Sequence, residues 1–410
     1  MPFRRGQHGA SRTHWFRWGS VACILLLATG FQLQRSVPNP IVRVAMATTV
    51  AAVPGTSPAL PWPGAGQAAI AVPGRGLLMQ SGPETPVPIA SLTKVMTAYL
   101  VLHDHPLSPT AQGPSVTISA ADQNEAEGDE VADASSIPVQ AGELLSERQL
   151  LDGLLVHSAN NLADVLATWD EGSVSAFVAK MNTTASALGM NQTHYVDTNG
   201  LNPLSVSSAV DQLRVAMAAM TNPTFALVVS QRSITLPIAG VIQNYVHSIG
   251  TDGIVGVKSG FTQAAMGCLV MAADRAVDGR TVLVMAAVTG QPGLDPLDAA
   301  KQTDVTLVDA TARALRERPV VPRRAVAATV GTPWQSAGVE ALTDRGVTLL
   351  AWPGDSVRMT FIPSPVRNGA RAGSLVGTLE VRDGAEHVSV PVRTTAALDR
   401  APLSWRLKRL

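Results

Sequence analysis

Apolar and polar positions change their pattern several times along the chain. Arg4, Arg5, Arg12 and Arg17 precede a short apolar run, Val21-Ala22-Cys23-Ile24-Leu25-Leu26-Leu27-Ala28. That order marks residues 1–47 as an export signal or an uncleaved membrane anchor. Ala45-Met46-Ala47 resembles a small-x-small cleavage site far downstream of the run. Residues 48–66, rich in Pro, Gly, Ala and Thr, read as a flexible spacer. Ala68 to Val72, the Gly74-Arg75-Gly76 turn and Leu77 to Gln80 then predict a hairpin. Helical patterns follow to about residue 230, among them Val95 to Leu102, Leu150 to Val156 and Leu162 to Leu166. Strand-like runs return at Ile254 to Val257, Gly267 to Ala273 and Thr281 to Val288, and Asp304 to Leu315 predicts a closing helix. From about Val320 to Thr395 short strands alternate with Gly and Pro turns, which reads as a small β-sandwich. Within it, the run from Gly373 to Glu380 is one bulged strand or two short ones, because Gly377 interrupts it. The pattern thus predicts an α+β domain over residues 67–317 and an all-β domain over 318–400.

Composition narrows the chemistry. A chain of 410 residues has room for two domains with sizeable cores. The formal net charge is zero, so no electrostatic case exists for nucleic acid. Two cysteines, one of them inside the N-terminal apolar run, exclude a disulfide framework, and Cys268 reads as a buried apolar thiol. No metal or cofactor is expected. His103-Asp104-His105 lacks further matching ligands and reads as a solvated turn. The acidic stretch from Asp122 to Asp133 lacks the glycine spacing of a calcium loop and reads as a solvated loop.

Lysine is scarce: the chain has five, at 94, 180, 258, 301 and 408, among many arginines. Arg keeps its charge at any workable pH, whereas a desolvated Lys can lose its proton. Two of the five lie in short motifs. In Ser91-Leu92-Thr93-Lys94, helical spacing sets the serine oxygen beside the amine, a hydroxyl with its base. The first turn of a helix also offers unpaired N–H groups to developing negative charge. Ser158-Ala159-Asn160 sits between two apolar helical stretches, where a turn can push a hydroxyl and an amide into a cleft. Lys258-Ser259-Gly260 follows a strand-like run. A cleft-edge Lys there supplies positive potential for a carboxylate, and the small residues let substrate backbone lie against the strand. His157 neighbours Ser158, but adjacent side chains at a helix end point apart, which excludes a serine–histidine pair.

These three motifs, in this order, resemble those of the serine penicillin-recognising enzymes, and most closely the low-molecular-weight D-alanyl-D-alanine carboxypeptidases. The likeness extends to Pro88 through Ala98, His157 through Ala163, Thr198-Asn199-Gly200-Leu201, Ser207 through Asp211, and Asp252-Gly253 ahead of Lys258. It covers roughly residues 65 to 315. The resemblance implies a β-lactamase/transpeptidase-like antiparallel sheet with helices and an inserted helical lobe. It implies Ser91 as acylated nucleophile, Lys94 as its base, Ser158 as proton relay and Asn160 as the group orienting Lys94 and the substrate amide. Lys258 and Ser259, with Gly260 and Phe261 on the same strand, would hold the substrate. The N–H groups of Ser91 and Phe261 would form the oxyanion hole. The implied reaction is removal of the terminal D-Ala from peptidoglycan stem peptides, with β-lactams as inhibitors, outside the cytoplasmic membrane.

Three departures accompany the likeness. Ser259 replaces the commoner Thr, and Ala159 fills a position the motif leaves free. Residues 281–310 contain no Arg, where several family members carry one that helps bind the terminal carboxylate. A D,D-endopeptidase or a β-lactamase on the same site is an alternative, as is a non-enzymatic binder of wall peptides. Between Ser158 and Lys258 there is no E-x-x-L-N element of the kind a class A β-lactamase uses for deacylation.

Overall fold

The computed structural model describes residues 12–132, 134–384 and 386–408. Arg4 and Arg5 of the N-terminal basic cluster, and Asp133 at the end of the acidic stretch, lie outside them. The chain forms two compact units: residues 54–317 with 350–354, and residues 1–53 with 318–349 and 355–410.

The first unit is built on a five-stranded antiparallel sheet. Its strands run in the order Ile254–Thr262, Met266–Val277, Arg280–Gln291, Gln67–Val72, Gly76–Gln80. The hairpin read from residues 68 to 80 is therefore present, at one edge. Every residue of Gln67–Val72 is buried, because both faces of the sheet are covered. Side chains alternate between faces with period two. Ile70, Met271 and Val284 share a core with Leu307 and Val308 of the Pro296–Ala314 helix. Ala69, Ala71 and Met285 join the core on the other face, where the Ala209–Met220 helix packs. Helices Thr93–Asp104, Glu147–Val156, Asn160–Glu171 and Val174–Ala187 belong to that second core and form the inserted lobe. Burying each of its Leu side chains contributes about 1.5–3 kcal/mol.

Two elements depart from the sequence reading. The acidic stretch is helical over Ala120–Val131, not a loop. Ser119 caps it, accepting from the Asp122 N–H while the Asp122 carboxylate accepts from the Ser119 N–H. That reciprocal box satisfies two N-terminal donors, and a helix that buries only Ala126 shows little apolar period. The closing helix begins at Pro296 instead of Asp304, with Asp295 as its cap and proline in the first turn.

The second unit is a seven-stranded antiparallel sheet in the order Ile41–Val44, Val326–Gly331, Val339–Thr343, Glu386–Thr394, Leu375–Asp383, Ser356–Pro363, Thr49–Ala52. In place of two separate sheets, one sheet bends so that Val326–Gly331 also touches Leu375–Asp383. The run around Gly377 is a single strand with a bulge between Leu375 and Gly377. Residues 49–52, read as spacer, are an edge strand paired with Ser356 to Met359. The helix Arg12–Gln34 carries the N-terminal apolar run, with Ile24, Leu25, Leu26 and Leu27 exposed. Among the described residues no helix is long and apolar enough to cross a membrane.

Candidate active site

Ser91 lies in a single 3₁₀ turn, Ala90–Leu92, that runs straight into the Thr93–Asp104 helix. Ala90 takes a positive φ of 47°, a costly conformation for a residue with a side chain. The turn is held from outside. Thr93 Oγ1 donates to Ala90 O at 3.0 Å, and Thr97 Oγ1 donates to Thr198 O at 2.7 Å. Gly200 packs so closely that a Cβ there would stand 1.9 Å from Ala90 O. On the opposite side, a Cβ on Gly260 would stand 2.8 Å from the Ser91 backbone nitrogen. The Ile254–Thr262 strand therefore passes directly over the N–H of Ser91, an approach that only glycine permits.

Lys94 is fully buried, and its Nζ lies 2.9 Å from Ser91 Oγ, 2.7 Å from Asn160 Oδ1 and 2.9 Å from Asn199 O. The two carbonyl oxygens can only accept. A neutral amine has two N–H donors and one lone pair. Donating to Asn160 and Asn199 uses both hydrogens and leaves the lone pair facing the Ser91 hydroxyl, which is the arrangement a base needs. Burial, and then the positive charge of Lys258, hold the Lys94 pKa well below its ordinary value; Asp197, Asp129 and Asp164 pull the other way.

Ser158 lies in the link between two helices, Glu147–Val156 and Asn160–Glu171, and Asn160 opens the second of them, at the turn where the sequence reading put both. Ser158 sits at φ 65° and is buried. Ser158 Oγ has no hydrogen-bond partner among the described residues, while the Asn160 amide faces the Asp129 carboxylate. Buried polar groups are nearly always paired, so the Ser158 hydroxyl is set to meet a ligand. Lys258, Ser259, Gly260 and Phe261 lie within the Ile254–Thr262 strand. Lys258 Nζ donates to Ser259 O at 2.8 Å, and burial pushes its pKa down to about 7. The cleft beside them has a volume near 530 Å³ and is lined by Ser91, Ser158, Asn160, Ser259, Gly260 and Phe261. Lys94 reaches Ser91 and Asn160 from the buried side, so the eight predicted residues gather at one place.

Other residues of the site were not singled out from sequence. Asn199 contributes through its backbone oxygen, which any residue would offer; only its place beside Gly200 pointed to it. Leu201, Leu297 and Tyr245 add wall to the cleft. The His157 ring stacks on Tyr245, with centroids 4.7 Å apart and planes 18° apart, and is not part of a serine–histidine pair. Burial and Asp164 raise Glu125 to about 8; close enough to the amine to feel its charge, Asp129 is raised by burial against the opposing pulls of Lys94 and Asn160. Asp104, Asp170 and Glu171 stand close enough to share a cation, and Lys180 pairs with all three. Cys268 is buried, as expected, with its thiol pushed up to about 12.

Comparison with known proteins bears on this site. A family described as D-alanyl-D-alanine carboxypeptidase matches residues 67–289. A D-alanyl-D-alanine carboxypeptidase of Mycobacterium tuberculosis is 34% identical over 204 residues, covering 48% of this chain and 65% of that protein, just under two thirds of its length. A D-alanyl-D-alanine endopeptidase of Pseudomonas aeruginosa is 32% identical over 244 residues, covering 56% of this chain and 74% of that protein. Among solved structures, a Streptomyces DD-transpeptidase superposes with a TM-score of 0.53 at 27% identity, over 62% of this chain and 98% of that one. A D-alanyl-D-alanine carboxypeptidase of Francisella tularensis, at 19% identity, shares the fold with a TM-score of 0.60 over 84% of this chain and 96% of that one.

Proposed function

The chain belongs to the D-alanyl-D-alanine carboxypeptidase family, and on that premise we propose that it is a serine D,D-carboxypeptidase acting on peptidoglycan stem peptides. The observation that carries this reading is the buried amine of Lys94, whose lone pair faces Ser91 once Asn160 and Asn199 have taken its hydrogens. Ser91 Oγ attacks the carbonyl of the penultimate D-Ala while its proton passes to Lys94. The oxygen that becomes negative lies against the N–H groups of Ser91 and Phe261, dipoles already fixed before the reaction begins. Ser158 Oγ delivers its proton to the departing amine and is reprotonated by the one Lys94 took from Ser91, D-Ala leaves, and water then hydrolyses the ester on Ser91. Asn160 Nδ2 holds the peptide amide, and Lys258 with Ser259 attracts the terminal carboxylate.

Mass spectrometry after exposure to penicillin tests the reading. Wild-type protein should gain one drug mass on Ser91, and Ser91→Ala should gain none. Incubation with a pentapeptide ending in D-Ala-D-Ala should release one D-Ala. An adduct that survives Ser91→Ala, or one found on Ser158, would sink it. The same reading implies work outside the cytoplasmic membrane, supported by the N-terminal order of arginines and apolar residues. Recovery of active protein solely from cytoplasm would overturn that part.

A further inference from the structure

We propose that Tyr245, backed by His157, is a specificity-determining residue that walls the leaving-group end of the cleft and restricts the enzyme to single terminal residues. The inference deepens the carboxypeptidase reading and rests on it. The cleft has two distinguishable ends. Beyond Phe261 its lining continues with Thr262, Gln263 and Leu297. In the other direction the strand leads from Ser259 back to Lys258, which is buried behind the lining, and the lining also includes the aromatic ring of Tyr245. The His157 ring is close enough to Lys258 to feel its charge, and Tyr245 stacks on that ring while also lining the cleft.

Tyr245 is pinned along its backbone. Its N–H donates at 3.1 Å to the carbonyl of Val156, the last helical residue before His157. On one side the Asn244 N–H donates to Arg232 O at 2.9 Å, and Asn244 Nδ2 donates to Gln231 O at 2.8 Å. On the other the Val246 N–H donates to Asn244 Oδ1 at 2.8 Å. Stacked rings at this separation also attract one another beyond simple burial. The ring is therefore a fixed wall and not a loose flap.

A peptide held by this geometry has one direction. Its scissile carbonyl lies over Ser91 and its carboxylate is drawn to Lys258 and Ser259. The last residue then fills the space between Ser91 and the Tyr245–His157 stack, and the rest of the peptide runs out past Phe261. A D-Ala needs only room for a methyl group. A cross-linked peptide is different, because the amine that leaves carries a further chain, which would have to pass the stack. The wall thereby separates a carboxypeptidase from an endopeptidase on the same catalytic groups.

The experiment compares two substrates on wild type, Tyr245→Ala and Tyr245→Phe. One is a pentapeptide ending in D-Ala-D-Ala. The other joins the penultimate D-Ala to the side-chain amine of a diamino acid that carries its own peptide. Wild type and Tyr245→Phe, which keeps the ring stack, should strongly prefer the first. Tyr245→Ala should raise the ratio of kcat/KM for the cross-link to that for D-Ala release by at least about tenfold, the scale on which pocket volume discriminates. An unchanged ratio in Tyr245→Ala that still forms the penicillin adduct would overturn the proposal, as would wild type that cleaves both substrates equally. Should Tyr245→Ala lose the adduct, Tyr245→Val reads the same ratio with less volume removed. Wild type that neither forms the adduct nor releases D-Ala defeats the carboxypeptidase reading itself, a result distinct from a failed wall.

Discussion

Two buried lysines close to one cleft must work in opposite states. Lys94 acts as a base only when neutral, so activity rises as pH climbs through its lowered pKa. Lys258 attracts a carboxylate only when charged, so activity falls as pH climbs through about 7. The pH profile of kcat/KM, which reports the free enzyme, should therefore be a bell with its alkaline limb near neutrality. A peptide ending in D-Ala amide has no carboxylate for Lys258 to hold. With that substrate the alkaline limb should vanish while the acidic limb stays. An alkaline limb of equal depth on both substrates would remove Lys258 from carboxylate binding. Both lysines were legible in the sequence because spacing dictates their geometry: three residues along a helical turn, and a place on a cleft strand. Asn199 was not, since its part is played by a backbone oxygen. Tyr245 was not either, because its ring meets His157 only through the fold.

At the scale of elements, the nucleophile's turn depends on a neighbour that has no side chain. Gly200 takes a φ of +83° and faces Ala90 O, a backbone atom that cannot yield as a flexible side chain could. Gly200→Ala should push the Ala90–Leu92 turn away from Lys94. We expect acylation by penicillin to slow at least about a hundredfold, since a displacement of about 1 Å costs that much. Stopped-flow measurement of the adduct checks this, and an unimpaired rate would mean the turn is set by other contacts. The Pro296–Ala314 helix carries an unpartnered group of its own. Asp304 is completely buried, neither carboxylate oxygen has a partner among the described residues, and burial lifts its pKa well above the ordinary value. The folded chain then keeps a proton that the unfolded chain releases at about pH 4. Stability must fall as pH rises from there toward the raised pKa, because the folded state binds more protons. Asp304→Asn should flatten that slope, read as urea midpoints at about pH 5 and about pH 8. Equal slopes in the two proteins would show that Asp304 is not the group. The sequence hid this residue because the predicted helix began there, so nothing in the pattern gave Asp304 a buried face. The acidic helix Ala120–Val131 was hidden for another reason: its composition looked like solvated loop.

At the scale of the whole molecule, the N-terminal segment is structural as well as a candidate address. Ile41 to Val44 pair with Ala328 to Gly331, and the Ala45 and Met46 N–H groups both donate to Ala327 O. Thr49–Ala52 closes the opposite edge of the same sheet. The small-x-small site at Ala45-Met46-Ala47 therefore falls between two strands of one sheet. Cleavage there would strip one edge and expose the Val326–Gly331 strand, a template for pairing with another chain. Two truncated chains separate the possibilities. One that begins at Arg35 keeps both edge strands and should melt like the full chain. One that begins at Thr48 should melt several degrees lower, at about 1 kcal/mol net per lost backbone hydrogen bond and roughly 2–4 °C per kcal/mol. It should also self-associate as concentration rises, which sedimentation would detect. The same logic applies in the cell. We expect the mature protein to start upstream of Ile41, so that its intact mass includes residues 41–47. A mature chain that starts at Thr48 and melts like the longer one would mean that the edge strand is dispensable and the N-terminal segment only an export signal.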